Sequence, residues 1–539
     1  MNNIKLLDCT LRDGGYINNW NFGYRTIKKV IEKLSQSNID IIECGFIRDQ
    51  EFNHNRSVFN DVESIKEFIN PKHKNIFYVG MIDYPYIPID KINNCDGSSI
   101  DGIRLTFHEN EIEEAMDYGE KLIRKGYKVF IQPVGTTSYN DSNLIKLVQM
   151  VNKLNPYAFY LVDTLGVMYK NDLLRMYHLI DNNLNDSISI GFHSHNNLQL
   201  SFSNAQELLM LHTKRKLIID ASVFGMGRGA GNLCTELVTQ YINNNIEEKY
   251  NVVPLLEIVD EHLGEFSYES KWGYSLPYYI SAVNNTHPNY ASYLINKQTI
   301  SVKSINTILK LIPLSKKDIF DPILIEDLYI NYQHHFVDDT ENIEIINNLI
   351  GNRKVLIIAP GKTIKTELEK IRTFIHSNDP FVICVNFLPE TLNTNAIFIS
   401  NEKRFNSLSE FMGEKNNNNI SLITTSNIPT TNDYFSFVIN YSDLLIDNSL
   451  ISDNSGLMLL NLLNRLSINN VYLAGFDGFH INKMNNYFSN EMINSSTIEE
   501  LIKKNDAIRK HLNFIERKMN IHFITSSIYS DSHIYSPIL

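Results

Sequence analysis

Leu6-Leu7-Asp8-Cys9-Thr10-Leu11-Arg12-Asp13-Gly14-Gly15-Tyr16 joins a strand end, an acid–base pair and a tight turn. The apolar run Lys5–Asp8 reads as a buried strand, so Arg12 and Asp13 fall in the loop that follows it. Gly14 and Gly15 allow that loop to bend with backbone close to a ligand. Seven more short apolar, β-branched runs follow: Ile39–Cys44, Ile76–Ile82, Gly102–Thr106, Lys128–Pro133, Ala158–Asp163, Ile188–His193 and Leu217–Val223. Between them lie Gly23–Ser35, Glu109–Lys125, Ser142–Leu154, Asn171–Asn182 and Leu198–His212, with apolar residues at helical spacing. Alternating strands and helices imply parallel right-handed crossovers. Eight such units in about 240 residues predict a TIM (β/α)8 barrel, with an open doubly wound sheet as the alternative. The polar residues favour the barrel, because they gather at the C-terminal ends of strands far apart in the count.

The rest of the 539 residues carries a second series. Leu256–Leu311 reads as mostly helical, with an aromatic stretch, Trp272-Gly-Tyr-Ser-Leu-Pro-Tyr-Tyr279, expected to pack on the barrel. Lys316–Asn348 is mixed and polar. Strands then recur at Lys354–Ala359, Phe381–Asn386, Ala396–Ser400, Ser421–Thr425, Phe435–Asn440, Val471–Gly475 and Ile521–Ser526, with helical pattern at Thr363–His376, Gly456–Leu466 and Thr497–Met519. This predicts a Rossmann-like doubly wound sheet. The expected domains are a barrel over 1–250, a helical extension over 251–312, a connector over 313–351 and the Rossmann-like unit over 352–539; Asn416–Asn419 reads as an exposed loop.

Composition removes several function classes. With 49 basic against 61 acidic residues, the net charge of −12 argues against a general nucleic-acid binder, which needs a basic face. No apolar run reaches the length of a membrane span, and the N-terminus lacks the pattern of a signal peptide. The five cysteines (Cys9, Cys44, Cys95, Cys234, Cys384) are scattered without a C-x-x-C pair, which argues against a disulfide framework or structural zinc. A cytoplasmic location is expected.

His193-Ser-His195 ends the seventh barrel strand, and residues two apart on a strand share a side, so both imidazoles can face one ion. With Asp13 they form a mixed N/O donor set that leaves positions free for a bidentate substrate. Such a set suits Mn²⁺ or Mg²⁺, with Zn²⁺ or Co²⁺ as alternatives. After the eighth strand, Gly225-Met-Gly227-Arg228-Gly229-Ala230-Gly231-Asn232 departs from the dinucleotide fingerprint. It reads as an active-site loop whose Arg228 and Asn232 reach the metal or an acidic substrate.

Leu-Leu-Asp-Cys-Thr-Leu-Arg-Asp-Gly-Gly, Gly-Phe-His-Ser-His-Asn-Asn and Gly-Met-Gly-Arg-Gly-Ala-Gly-Asn, in this order and on these strands, resemble the DRE-TIM metallolyases. Ile-Glu43-Cys-Gly45-Phe46, Arg104 and Val-Asp163-Thr164-Leu-Gly166 support the resemblance, which runs over about residues 1–305 and is greatest to the 4-hydroxy-2-oxovalerate aldolase-like branch. It implies a metal held by Asp13, His193 and His195, with Asn232 as a further ligand, and Arg12 steadying the oxygen of a pyruvate-type enolate. It also implies a 2-oxo acid and an aldehyde as partners, with Glu43, Arg104, Asp163, Thr164 and Arg228 around the substrate; barrel enzymes commonly dimerise, so a homo-oligomer is expected. For Asp163 the alternatives are a loop-holding role and a hydrogen bond to a metal-ligand histidine. The base departs from the pattern: that branch has a histidine three residues after the Arg–Asp pair, where this chain has Tyr16. Tyr16 is a poor unaided base at neutral pH, which leaves His287 or Tyr290 as substitutes, with helix packing as the other role for His287.

In the second series, Ala359-Pro-Gly361-Lys362-Thr363 fails as a P-loop, which would need glycine at Leu356. Gly361, Asn386, Ser455 and Asp477 nevertheless fall at strand ends that would line a switch-point crevice. Their order loosely resembles Rossmann-like bacterial sialyltransferases and related glycosyltransferase domains, which implies a nucleotide or nucleotide-sugar ligand; a scaffold or oligomerisation domain is the alternative. For the whole chain the expectation is a metal-dependent aldolase or lyase fused to a nucleotide-linked domain, suited to making a surface sugar. Two alternatives are an acyl-CoA condensing (Claisen) synthase and an inert barrel supporting a C-terminal transferase.

Overall fold

The computed structural model describes residues 4–211, 213–264, 266, 272–389, 391–414, 420–428, 437–480, 482, 486–488 and 497–530. They form two compact units, Met1–Ala291 with Pro313–Phe320, and Ser292–Ile312 with Asp321–Leu539. The division at Ala291 falls inside the stretch expected as one helical extension.

The first unit is a closed parallel barrel. Its strands are β1 (Ile4–Asp8), β2 (Ile41–Ile47), β4 (Phe77–Asp83), β5 (Gly102–Phe107), β6 (Lys128–Pro133), β7 (Ala158–Asp163), β8 (Ser189–Ser194) and β9 (Leu217–Ala221). A two-residue strand, β3 (Val58–Phe59), adds to the end of β2. Strand β1 pairs in parallel with both β9 and β2, which closes the ring. All eight expected barrel strands are present, and β3 is an addition the sequence pattern did not signal.

Side chains alternate between two packed layers. Leu7, Cys9, Ile41, Val79, Phe130, Ala158, Tyr160, Val162 and Ile218 fill one apolar cluster, while alternate strand residues such as Leu6, Ile42 and Leu161 join the larger core with the helices. The helix Ile112–Arg124 buries Ala115, Met116, Tyr118, Gly119 and Leu122, the stripe that a 3.6-residue period dictates. Asn140 caps Asp141–Leu154 by accepting the Asn143 N–H at 2.9 Å, and left-handed Asn155 ends that helix. Trp272 packs its ring on Phe224 and donates its indole N–H to the Phe224 carbonyl at 3.0 Å. The expected helix end at His212 lies outside the described residues; the helix there is Ser201–Leu209.

One irregularity shapes the mouth of the barrel. The β2–β4 register shifts between Glu43 and Phe46. Gly45 sits there at φ +149°, where an added Cβ would stand 2.0 Å from the Ser57 carbonyl oxygen. A bulge of this kind re-aims the residues after it.

The second unit is a parallel sheet of β10 (Val355–Ile358), β11 (Phe381–Val385), β12 (Ala396–Ile399), β13 (Ser421–Thr425), β14 (Phe437–Ile439), β15 (Asn470–Ala474) and β16 (Asn520–Phe523). Their spatial order is 14-13-12-11-10-15-16, so the direction of winding reverses between β10 and β15. That is the doubly wound pattern expected, with its switch point fixed. Phe435 and Ser436 of the expected fifth strand, and Asn416–Asn419, lie outside the described residues. Much of 313–351 is helical, as Pro322–Gln333 and Thr340–Ile350.

Candidate active site

Strand β1 ends at Asp8, and the one-turn helix Thr10–Asp13 follows. This turn is held tightly. Trp20 donates its indole N–H to the Arg12 carbonyl at 2.7 Å, and a Cβ on Gly14 would stand 2.3 Å from the Thr10 carbonyl oxygen. Arg12 and Asp13 are both buried. His193 comes from β8, and His195, one residue past its end, bridges to Asn232 in the glycine-rich loop after β9.

The two imidazoles turn the same edge toward Asp13. Their Nε2 atoms lie 3.2 Å (His193) and 3.8 Å (His195) from Asp13 Oδ2. Their Nδ1 atoms have other partners, Asp220 Oδ2 at 3.0 Å for His193 and the Gly231 carbonyl at 3.3 Å for His195. Acceptors at both Nδ1 atoms favour a proton there, so in the neutral form of each ring the Nε2 lone pair faces the carboxylate. Asn232 donates its amide to the Met226 carbonyl at 3.1 Å, and its Oδ1 has no partner. Gly227 makes room for it, since a Cβ there would stand 2.1 Å from Asn232 Nδ2.

A chain of charges backs these donors. Arg12 Nε donates to Glu43 Oε2 at 3.0 Å, and Arg104 donates to the same oxygen at 2.6 Å. Arg104 also donates to Asp220, which in turn accepts from His193. Arg12 Nη1 lies 3.2 Å from Asp13 Oδ2, and Arg12 Nη2 has no partner. Burial works against ionising Asp13, but Arg12, His195 and His193 outweigh it and hold the carboxyl well below its usual range. Asp220 is likewise held low against burial by Arg104 and His193. Burial pushes His195 down to about 3, with His193, Arg228 and Arg12 acting in the same direction.

The residues fit a divalent cation. Asp13 Oδ1 and Oδ2 and Asn232 Oδ1 are buried acceptors that receive no hydrogen bond, a costly state unless something else satisfies them. Two guanidiniums (Arg12, Arg104) face three carboxylates (Asp13, Glu43, Asp220); burial works against charging His193, but hydrogen bonds to Asp13 and Asp220 raise it, so a cation at this point would stand where that proton does. Cys9 also has its thiol within 4.8 Å of the Asp13 and His193 donor atoms. Burial raises that thiol well above its ordinary value, and it packs among the interior apolar residues, so it is a poor fourth ligand.

The other expected site residues differ in where they lie. Tyr16 (41% exposed) stands at the mouth with its ring against Trp20 and Phe46 and the Arg228 guanidinium 5.6 Å from its centre. His287, from the segment after the barrel, accepts the Asn289 N–H at Nδ1, and its Nε2 has no hydrogen bond among the described residues. Burial lowers it to about 3, helped by Arg228 and His195, so it is a neutral imidazole.

Glu43 and Arg104, expected at the substrate, are fully buried and joined in the charge chain, with Glu43 Oε1 and Arg104 Nε outside its hydrogen bonds. Asp163 holds its own loop, accepting the Val167 and Met168 N–H groups at 3.0 Å each, while Thr164 accepts the Gly135 N–H at 2.8 Å. Tyr290, the other expected substitute base, is buried with its hydroxyl toward the Lys316 and Ile319 carbonyls at 2.9 and 2.8 Å.

Two contributors escaped the sequence reading. Asp220, a lone carboxylate inside the apolar run Leu-Ile-Ile-Asp220-Ala, carried a signal in being polar where its neighbours are not. Arg48 carried none; its guanidinium lies 4.1 Å from the Phe46 ring centre and 3.6 Å from Asp83.

In the second unit, Gly361, Asn386, Ser455 and Asp477 all line one cavity of about 530 Å³ at the carboxyl ends of β10, β11 and β15. Asn386 donates to the Ser455 hydroxyl at 2.7 Å, and its own Oδ1 has no partner. Asp477 accepts the Thr363 N–H at 2.8 Å and the Thr363 hydroxyl.

Fold and site in the first unit define a (β/α)8 barrel whose mouth gathers carboxylate, imidazole and guanidinium groups around one buried point. Residues 99–260 match the family described as HMGL-like, and the barrel carries an HMGL-like domain of the DRE-TIM type. An oxaloacetate decarboxylase of Mycobacterium tuberculosis is 24% identical over 242 residues, 42% of this chain and 66% of that one. A 4-hydroxy-2-oxovalerate aldolase of Geobacillus genomosp. 3 is 23% identical over 251 residues, 44% and 70% of the two chains. Both relatives are lyases by name, and this chain spans about two thirds of their length. A crystal structure of a Bacteroides vulgatus N-terminal domain with a provisional aldolase assignment shares 25% identity at a TM-score of 0.48, over 54% of this chain and 96% of that one. No described helix is long and apolar enough to cross a membrane.

Proposed function

We propose that the barrel is a divalent-metal-dependent carbon–carbon lyase or aldolase acting on a 4-hydroxy-2-oxo acid through a pyruvate-type enolate. The observation that carries this reading is the set of buried, unsatisfied acceptors on Asp13 and Asn232, with two Nε2 lone pairs aimed at the same place. Asp13, His193, His195 and Asn232 would hold the ion, with Mn²⁺ or Mg²⁺ the best match to a mixed O/N set. When bound, such an ion polarises the keto oxygen and stabilises negative charge on it.

The remaining steps belong to side chains. A neutral His287 takes the proton of the substrate's 4-hydroxyl at Nδ1, the nitrogen that carries its lone pair, which then gives up the Asn289 N–H. The C3–C4 bond then breaks, the aldehyde leaves and the electron pair moves to the keto oxygen. Arg12 Nη2, the one guanidinium nitrogen of that residue with no partner, donates to this oxyanion. The proton returns to C3 to give the 2-oxo acid product. Arg228 and Arg12 draw the anionic substrate to the mouth, while Glu43, Arg104 and Asp220 hold Arg12 and His193 in place.

Carbon dioxide in place of the aldehyde would leave the same enolate, so oxaloacetate belongs in the assay beside hydroxy-oxo acids. The test is loss of a 4-hydroxy-2-oxo acid or oxaloacetate, with and without Mn²⁺, for the wild type and Asp13→Asn. Metal-independent turnover, or full activity in Asp13→Asn, contradicts the reading.

For the second unit we propose a nucleotide or nucleotide-sugar ligand, a reading supported by the convergence of Gly361, Asn386, Ser455 and Asp477 on one cavity. Paired with a lyase, such a unit suits the making of an unusual surface sugar or its acyl substituent.

A further inference from the structure

The cavity in the second unit is unequal in its charges, and the inequality points to one end of a ligand. We propose that it binds a phosphorylated ligand whose anionic group sits between the Arg404 guanidinium and the N-terminus of the helix Ser455–Arg465. This rests on the nucleotide reading above and assigns which residues meet the phosphate.

The floor is bare backbone. Gly361 N–H donates to the Gly475 carbonyl at 3.1 Å, and a Cβ on Gly361 would stand 2.3 Å from that oxygen. The ends of β10 and β15 therefore meet without side chains between them at the switch point, where doubly wound sheets open a crevice. A volume of about 530 Å³ lies within the usual range for a small-molecule site.

One wall is a helix N-terminus with donors to spare. Asn454 caps the helix by accepting the Leu457 N–H at 3.2 Å. The N–H groups of Ser455 and Gly456 bond to nothing among the described residues, and both residues line the cavity. Such free N–H groups and the positive end of the helix dipole favour an anion.

Among the described residues three cations line the cavity, and two have carboxylates beside them. Lys297 pairs with Glu326 at 2.8 Å, and Lys504 feels the carboxylates of Glu500 and Asp453. Arg404 has no carboxylate partner among the described residues; burial lowers it, and the opposing group is the Tyr487 hydroxyl. The lining acids do not serve it. Asp477 is held by Thr363, Asp453 accepts the Tyr329 hydroxyl, and Glu500 accepts the Thr497 N–H. A half-buried guanidinium with no carboxylate partner among the described residues, sharing a cavity with helix N–H groups that bond to none of them, fits a phosphoryl group. Asn386 Oδ1, the unpartnered acceptor on the same cavity, is left for an N–H or O–H donor elsewhere on the ligand.

Calorimetric titration of the full chain tests this with the diphosphates of cytidine, uridine, adenosine and guanosine, the matching nucleosides and inorganic pyrophosphate. At least one diphosphate is expected to bind tenfold or more tightly than its nucleoside. Arg404→Gln should weaken that diphosphate at least tenfold and leave the nucleoside unchanged, and Arg404→Lys should restore part of the loss. Equal diphosphate binding by wild type and Arg404→Gln overturns the phosphate assignment while leaving the nucleotide reading intact; no binding by any diphosphate overturns both. Should Arg404→Gln fail to fold, the salt dependence of wild-type binding decides. Diphosphate affinity must fall as KCl rises, and an affinity indifferent to salt contradicts the proposal.

Discussion

Asp220→Asn separates a site built for a cation from a merely buried ion pair. Asp220 accepts from His193 Nδ1 at 3.0 Å and pairs with Arg104, with side-chain exposures of 1% and 0%. An asparagine keeps the shape but loses the charge, so Arg104 retains just the Glu43 oxygen that Arg12 also uses. Removing one partner of a buried pair costs roughly 3–5 kcal/mol. The His193 imidazole loses its orienting acceptor, and changes of this kind weaken metal affinity about 10–100-fold, or ~1.4–2.7 kcal/mol. Lowering the buried negative charge by one acts in the same direction. Mn²⁺ binding followed by electron paramagnetic resonance, with calorimetric unfolding of the metal-free protein, reads the two effects separately. Mn²⁺ affinity within twofold of wild type would refute the claim that His193 is a ligand oriented by Asp220, whatever the change in stability.

Arg12→Ala should lower kcat about 10²–10³-fold in steady-state assays, the size typical of a lost oxyanion donor; an unchanged kcat with raised KM would make Arg12 a binding group alone. His287→Gln should lower kcat/KM about 10²–10⁴-fold, and because burial holds His287 down at about 3, no acid limb from this base should appear between pH 5 and 8; a limb there that vanishes in the variant contradicts the assignment. Burial raises Asp8 to about 6 in the folded chain, above its unfolded value, so the folded state holds that proton more tightly. Its contribution is complete below about pH 4 and lost by about pH 6, worth up to ~3 kcal/mol over that span. Asp8→Asn should therefore gain stability relative to wild type as pH rises from 4 to 7, and a difference in melting temperature that stays constant with pH speaks against it.

The barrel was legible because strand and helix periods differ, and eight repeats of the pair leave few topologies. Asp13, His193 and His195 were legible because they follow strand ends, where side chains reach the mouth of a barrel. Depth was not legible. Glu43 and Arg104 lie on strands like true mouth residues, yet each finds its partners inside, and the bulge at Gly45 that re-aims Phe46 has no strong mark in the sequence. Asp163 follows the same rule: local sequence cannot tell a carboxylate that holds its own loop from one that reaches across to a histidine. For Tyr290 the sequence shows a place on a helix, and only the fold brings its hydroxyl to two backbone carbonyls. In the second unit the glycines and strand ends indicated a crevice, while Arg404, on a helix with no motif around it, needed the fold to reach the cavity wall.

The most direct measurement is exchange of the pyruvate methyl protons with solvent deuterium, followed by proton NMR with and without Mn²⁺. Exchange that requires the metal and disappears in Asp13→Asn is the expected result. Failure to exchange in a protein that binds both Mn²⁺ and pyruvate would contradict enolate formation at this site.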